Sequence, residues 1–132
     1  AYDASLTLTA AADLSSAQNS YAAAAVGGYA LFAGNTADAD VYDASLTKTT
    51  VGLLSAARQP DAVTAGGYAF FAGGDASGTV DVCDASLTRT TLTALSEARG
   101  SMAAAAVGDY VLFAGGRNAA SLYHDTVDVY TI

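Results

Sequence analysis

The sequence predicts an all-β fold built from three copies of one four-stranded unit. The segment DVYDASLT at 40–47 returns as DVCDASLT at 81–88, and parts of it stand at both ends of the chain, at 2–7 and 127–130. Turn residues interrupt the apolar stretches about every ten positions, which is typical of all-β arrays. The stretches between them are too short to be stable as isolated helices.

The repeat has a long period. Tyr2, Tyr42, Cys83 and Tyr130 hold the same place in the unit and are 40, 41 and 47 residues apart. Such a period is found in β-propeller blades and in helical repeats, so the pattern inside the unit decides between them. The units are approximately 18–58, 59–99 and 100–132, within a single domain of residues 1–132.

Each unit opens with a predicted hairpin. In the first unit, YAAAAV and YALFA are joined by Gly27-Gly28, a two-residue loop that tolerates positive φ. Alanine favours helix, but the run is too short for one. We expect the small side chains to fit where several first strands converge on an axis. The later units have Gly66-Gly67 and Gly108-Asp109 in the loop.

The second half of the unit contains two more predicted strands. A glycine-rich turn leads to a strand that ends in Tyr or Cys, and the DASLT turn then leads to a threonine-rich fourth strand. The third unit has only three strands at the C-terminal end of the chain. Residues 5–12, SLTLTA and its neighbours, are predicted to supply the fourth, which gives twelve strands in all.

These features resemble the kelch repeat over the whole chain. The resemblance is carried by Arg58 and Arg99 before the first strands, by the glycine pairs after the second strands, and by Tyr42-Asp43 with Cys83-Asp84. It implies a kelch-like β-propeller in which each unit is a blade. The chain lacks the tryptophan usual in the fourth kelch strand, so packing between blades is expected to use the tyrosines and the phenylalanines Phe32, Phe71 and Phe113.

Three blades are too few for a propeller, since propellers have roughly 4–8 blades. Three open blades would also expose unpaired strand edges. We therefore predict a six-bladed ring formed by a head-to-tail homodimer, in which the N-terminal strand of each chain completes the last blade of the other. The alternative is that the chain is half of a larger propeller and has no ligand function of its own.

Composition excludes several partners. Five Lys and Arg against thirteen Asp and Glu give a net charge of −8, which argues against nucleic-acid binding. No apolar run is long enough for a membrane helix. The single cysteine, Cys83, allows no intrachain disulfide and is expected to be a buried strand residue. No secretion signal is visible, and the compartment stays open.

The variable loops predict where a ligand would bind. The loops after the second strands and the joints between units share one face, and binding residues commonly lie on such loops. Arg58, Arg99 and Gln18 are expected near the channel mouth. They could form an anion site, or they could have a structural role by binding carbonyls or Asp of neighbouring blades. The candidate ligand-binding residues are Gln18, Arg58, Arg99, Arg117, Tyr123, His124 and Asp125.

The chemistry-bearing residues do not predict an enzyme. His124 is the only histidine, and a metal site or a catalytic triad needs partners for it. No cofactor or metal is predicted. Four aspartates in glycine-containing loops could supply oxygen ligands to calcium, but without the spacing of an EF-hand: Asp38, Asp40, Asp75 and Asp81. The sequence favours a binding module for a protein or peptide. The alternatives are a carbohydrate-binding or adhesive module, suggested by Tyr123, Asn118 and Asp125 on the longest loop, and a propeller hydrolase.

Overall fold

The structure, a computed structural model, describes residues 8–18 and 21–132. These residues form eleven β-strands, and no helix that could cross a membrane occurs among them. The strands are β1 (Ala22–Val26), β2 (Tyr29–Ala33), β3 (Ala39–Tyr42), β4 (Lys48–Val51), β5 (Asp61–Ala65), β6 (Tyr68–Ala72), β7 (Val80–Cys83), β8 (Arg89–Leu92), β9 (Ala103–Val107), β10 (Tyr110–Ala114) and β11 (Val127–Thr131). Three antiparallel sheets result: sheet 1 (β1 to β4), sheet 2 (β5 to β8) and sheet 3 (β9 to β11).

Each sheet is a meander in which consecutive strands pair. In the first hairpin Val26 pairs with Tyr29, so Gly27 and Gly28 form the whole loop, with φ of 56° and 83°. Positive φ at both positions is what a two-residue turn of this kind requires. The predicted hairpins and the strand assignment of the alanine-rich run are therefore confirmed.

The sheets stack in chain order. Each has a front face, which carries Phe32, Phe71 or Phe113, and a back face, which carries Leu31, Phe70 or Leu112. The back face of sheet 1 packs against the front face of sheet 2, where Leu31 and Phe71 share one core. The back face of sheet 2 packs against the front face of sheet 3, where Phe70 and Phe113 share a second core.

The first strands of the three sheets lie side by side, with β1 against β5 and β5 against β9. The backbone N–H of Ala25 donates to the Thr64 hydroxyl at 3.1 Å across the first of these contacts. β1 and β9 contain alanine at every position except a final valine. Small side chains thus let these strands approach closely, as the sequence predicted.

The strand count differs from the prediction. The described residues form eleven strands rather than twelve, because residues 8–12 are not in a strand. The rest of the predicted N-terminal strand, residues 5–7, lies outside the described residues. Sheet 3 therefore has three strands, and the three sheets do not close into a ring. A segment forms a strand when its backbone groups can pair with the edge of a sheet. Residues 8–12 lie near sheet 1, which already has its four strands.

Candidate functional site

A buried arginine holds the inner part of sheet 2 together. Arg58 Nη1 lies 2.9 Å from Asp81 Oδ2, and neither side chain is exposed. Its Nε donates to the Gly73 carbonyl at 3.0 Å, and its Nη2 donates to the Phe71 carbonyl at 2.9 Å. All three nitrogens of the guanidinium therefore have partners inside the protein.

Arg99 makes the equivalent contacts in sheet 3. Its Nη1 lies 2.9 Å from Asp128 Oδ2, its Nε donates to the Gly115 carbonyl at 2.7 Å, and its Nη2 donates to the Phe113 carbonyl at 3.1 Å. Both arginines are buried, and each lies at the end of one unit and binds carbonyls and an aspartate of the next. This geometry favours the structural alternative for Arg58 and Arg99 over an anion site at a channel mouth.

Gln18 occupies the same place in the first unit but makes weaker, neutral contacts. Its Oε1 accepts from the Asn35 backbone N–H at 2.7 Å, and its Nε2 donates to the Ser16 hydroxyl at 2.7 Å. The carboxylate of Asp40 therefore has a different cation beside it, the Lys48 ammonium at 4.0 Å. The first unit keeps the position but not the ion pair.

A serine–aspartate contact recurs in all three units and was missed by the sequence reasoning. Ser55 follows sheet 1, and both its backbone N–H and its hydroxyl donate to Asp81 in sheet 2. Burial alone would raise the pKa of Asp81, but the Ser55 and Thr91 hydrogen bonds and the Arg58 charge lower it overall. The equivalent pairs are Ser15 with Asp40 and Ser96 with Asp128. The recurrence of Ser and Asp at equivalent positions of the repeat could have indicated this contact.

The same contacts correct the calcium hypothesis for two residues. Asp40 and Asp81 lie in strands β3 and β7 rather than in loops, and both are buried. Their oxygens accept hydrogen bonds from serine and threonine. Among the residues that the structure describes, no three His, Cys, Asp or Glu side chains gather to hold a metal ion.

The longest loop of the chain, 115–126, is held by its own backbone. Gly115 N–H donates to the Thr126 carbonyl at 3.0 Å, and His124 N–H donates to the Gly116 carbonyl at 3.0 Å. Arg117 exchanges two backbone hydrogen bonds of 3.0 Å with Gly100. The loop tip is thus positioned before any ligand arrives.

His124 fixes this loop to the joint between sheets 2 and 3. Its Nδ1 lies 2.6 Å from Glu97 Oε2, while its Nε2 is buried and has no hydrogen-bond partner in the described structure. The Glu97 backbone carbonyl also accepts from Arg99 Nη1 at 3.3 Å. The His124 ring therefore contacts Glu97 and is less exposed than the side chains of Arg117, Tyr123 and Asp125.

The remaining predicted residues, Arg117, Tyr123 and Asp125, are exposed on the loop. Tyr123 is 84% exposed and presents its ring to solvent. A shallow groove of about 310 Å³ lies beside Arg117, between the loops of sheets 2 and 3. Its other walls include Gly74, Asp75, Ser101 and Asn118. Of the exposed candidate residues, Arg117 lines this groove, whereas Tyr123 and Asp125 do not.

No protein-family model matches the sequence, and no curated protein matches it. The resemblance to the kelch repeat consequently stays a prediction made from the residues.

Proposed function

We propose that this chain is a non-enzymatic binding and scaffold module. Two copies join head to tail into a six-bladed, kelch-like β-propeller, and the face with the long loops binds a protein or peptide. The observation that carries the proposal is the exposed back face of sheet 3. The equivalent faces of sheets 1 and 2 are each covered by the next sheet.

The exposure of equivalent valines measures this difference. Val129 in β11 is 53% exposed, whereas Val41 and Val82 at the same place in β3 and β7 are 1% and 7% exposed. Val107 in β9 is 67% exposed, whereas Val26 in β1 is 4% exposed. An apolar face of this kind is usual at an interface. Burying it would extend the stacking that already joins the three sheets.

The front face of sheet 1 is the complementary surface. Phe32 and Tyr42 line an apolar groove there, partly covered by Ala11 and Leu14. In the two internal junctions the front face meets the back face of the preceding sheet. A second copy would place its sheet 3 on this surface, and the reciprocal contact would close the ring.

Residues 8–18 support the same arrangement. Ser15 binds Asp40 of sheet 1 as Ser55 binds Asp81 of sheet 2, so this segment approaches sheet 1 as the end of a preceding sheet would. By the repeat, residues 8–11 correspond to Lys48–Val51, which is β4. In sheet 3 none of the described strands lies beside the outer edge of β11. Each copy thus has the strand segment that the other lacks.

The loop face supplies the ligand-binding half of the proposal. Exposed tyrosine and arginine are enriched at the residues that dominate protein interfaces, and Tyr123 and Arg117 lie on the firmly held loop 115–126. A ring of two copies would present this loop twice, on the same side. A peptide library and a glycan array, screened with Tyr123→Ala and Arg117→Ala as controls, separate a peptide ligand from a carbohydrate.

Light scattering on a sizing column tests the assembly. The expected mass is twice 13.1 kDa, unchanged on dilution, and Val129→Asp is expected to give a monomer that stays folded because this side chain is exposed in the single chain. Leu122→Asp, an exposed leucine on the loop, is the matched control and should stay dimeric. A wild-type monomer would overturn the ring, and a mass that grows with concentration would replace it with an open polymer.

A further inference from the structure

A cavity of about 430 Å³, lined by apolar side chains together with threonines and Asp84, lies between the outer parts of sheets 2 and 3. Its walls come from the back face of sheet 2, from Asp84 and Thr88 in the turn between β7 and β8, and from Thr131 and Ile132 at the C-terminal end of the chain. The apolar part of the wall consists of Tyr68, Phe70, Val82, Leu92 and Ile132. Nothing in the described part of this chain occupies it.

The equivalent place between sheets 1 and 2 holds a leucine. Leu87 packs against the core there, together with Tyr29 and Val51. By the repeat, the residues around Leu87 correspond one by one to the cavity wall. The corresponding pairs are Tyr29 with Tyr68, Leu31 with Phe70, Val41 with Val82 and Val51 with Leu92.

Leu87 belongs to the DASLT turn at 84–88, and the conformation of that turn positions it. The carboxylate of Asp84 accepts from the backbone N–H groups of Ser86 and Thr88, and Leu87 has φ of 61°. The turn at 43–47 has the same hydrogen bonds to Asp43, and its leucine, Leu46, has φ of 63°. The sequence DASLT therefore forms the same turn at both described places.

Ile132 marks where the third turn belongs. A Cβ added at Gly66 would meet Ile132, as one added at Gly27 would meet Ala85, so Ile132 takes the place of Ala85 beside sheet 2. The chain has a third DASLT at 3–7, outside the described residues. We propose that the cavity between sheets 2 and 3 binds Leu6 from the DASLT segment of a second copy.

This inference rests on the proposed head-to-tail pair, and it names the side chain that locks the junction. Filling the cavity buries the leucine against apolar residues, which is favourable by roughly 25 cal/mol per Å² of apolar surface. Two such cavities exist in a ring of two copies. A change at Leu6 therefore acts twice on the dissociation constant of the dimer.

Sedimentation of the full-length protein over a dilution series tests the inference. Leu6→Ala is expected to raise the dissociation constant roughly tenfold for each of the two cavities. Leu122→Ala, which removes a leucine from the exposed loop, should leave it unchanged. Thr90→Trp fills the cavity from its exposed wall and should weaken the dimer in the same way without altering residues 3–7.

The outcomes separate the inference from the proposed function. A wild-type dimer that neither Leu6→Ala nor Thr90→Trp weakens would overturn the cavity assignment and leave the ring standing. A dimer that Leu122→Ala weakens equally would also overturn it. A wild-type monomer whose stability falls in Leu6→Ala would mean that the chain fills its own cavity, and would overturn both.

Discussion

Arg58 and Asp81 form an ion pair of 2.9 Å in which neither side chain reaches solvent. The pair ties the segment before β5 to the third strand of the same sheet, and Arg58 also closes off the carbonyls of Phe71 and Gly73. A buried pair of this kind adds little stability compared with an apolar pair, but breaking it leaves an uncompensated charge. Its two members are therefore strongly coupled.

We expect Arg58→Met to lower the free energy of unfolding by about 3–5 kcal/mol, because the Asp81 carboxylate would remain buried without its cation. In the double variant, Arg58→Met with Asp81→Leu, the loss should be smaller than the sum of the two single losses, because no charge is left buried alone. Urea denaturation at one fixed protein concentration measures both. Arg117→Met, an exposed arginine on loop 115–126, is the control and should change stability by less than about 0.5 kcal/mol. A loss in the double variant equal to the sum of the two single losses would argue against the coupling.

Acid should destabilise the protein through Asp81. Burial raises the pKa of this carboxyl, but hydrogen bonds from Ser55 and Thr91 and the charge of Arg58 bring it below the ordinary value of 3.8. A lowered pKa in the folded state means that the contribution is complete above pH 3.8 and is lost as the pH falls further.

Asp61 should change the stability in the opposite direction. Burial raises the pKa of its carboxyl despite the hydrogen bond from Met102 N–H. Its ionisation opposes folding at neutral pH, and protonation relieves this as the pH falls. Unfolding free energies measured from pH 7 downwards should therefore lose acid sensitivity in Asp81→Asn and gain it in Asp61→Asn. The same response in both variants would contradict the assignment.

The sequence was sufficient to predict strands and turns, but not which side chains contact each other between distant parts of the chain. Gly27-Gly28 between two apolar runs was enough to place a hairpin, and Cys83 was correctly expected in a buried strand. Carbonyls and an aspartate were one of the alternatives for Arg58, but which residues bind it could not be predicted, because they come 13, 15 and 23 residues later in the chain. The link from Ser55 to Asp81 joins different sheets, and only the stacking of those sheets brings the two residues together.

Two glycines with the same backbone angle should respond differently to alanine. Gly28 and Gly74 have φ of 83° and 82°, so both substitutions carry the left-handed strain of roughly 1–2 kcal/mol. A Cβ at Gly28 would meet open space, whereas one at Gly74 would overlap the Gln59 carbonyl. Thermal or urea unfolding should show a clearly larger loss for Gly74→Ala than for Gly28→Ala. Equal losses of stability in the two variants would mean that the backbone around Gln59 can move away from the added Cβ without destabilising the protein.

Tyr130 should ionise late in an alkaline titration. Burial, together with the nearby Asp128 carboxylate, raises the pKa of its phenol to about 12 from 10.0, and its hydroxyl donates to the Thr93 carbonyl at 2.8 Å. A pKa raised in the folded state means that stability is complete below pH 10.0 and is lost as the pH rises towards 12. Ultraviolet absorbance should show a late phenolate transition that disappears in Tyr130→Phe. Its survival in that variant would assign it to another tyrosine.

In the proposed dimer, the junction between the two copies should tighten when a threonine is placed opposite Asp128. In sheets 1 and 2 the fourth strand supplies a hydroxyl to the aspartate of the third strand, from Thr50 at 3.2 Å and from Thr91 at 2.6 Å. If residues 8–11 of a second copy pair with β11 in the register of β4 and β8, the residue opposite Asp128 is Ala10, which has no donor.

Ala10→Thr is therefore expected to strengthen the dimer by roughly tenfold for each junction, since a hydrogen bond to a charged group contributes about 1.5–3 kcal/mol. Ala10→Val adds the same bulk without the hydroxyl and should give no such gain. The dissociation constants come from dilution in the ultracentrifuge. If Val and Thr act alike, the effect is one of strand propensity, and Ala10 does not lie opposite Asp128 in the assembled pair.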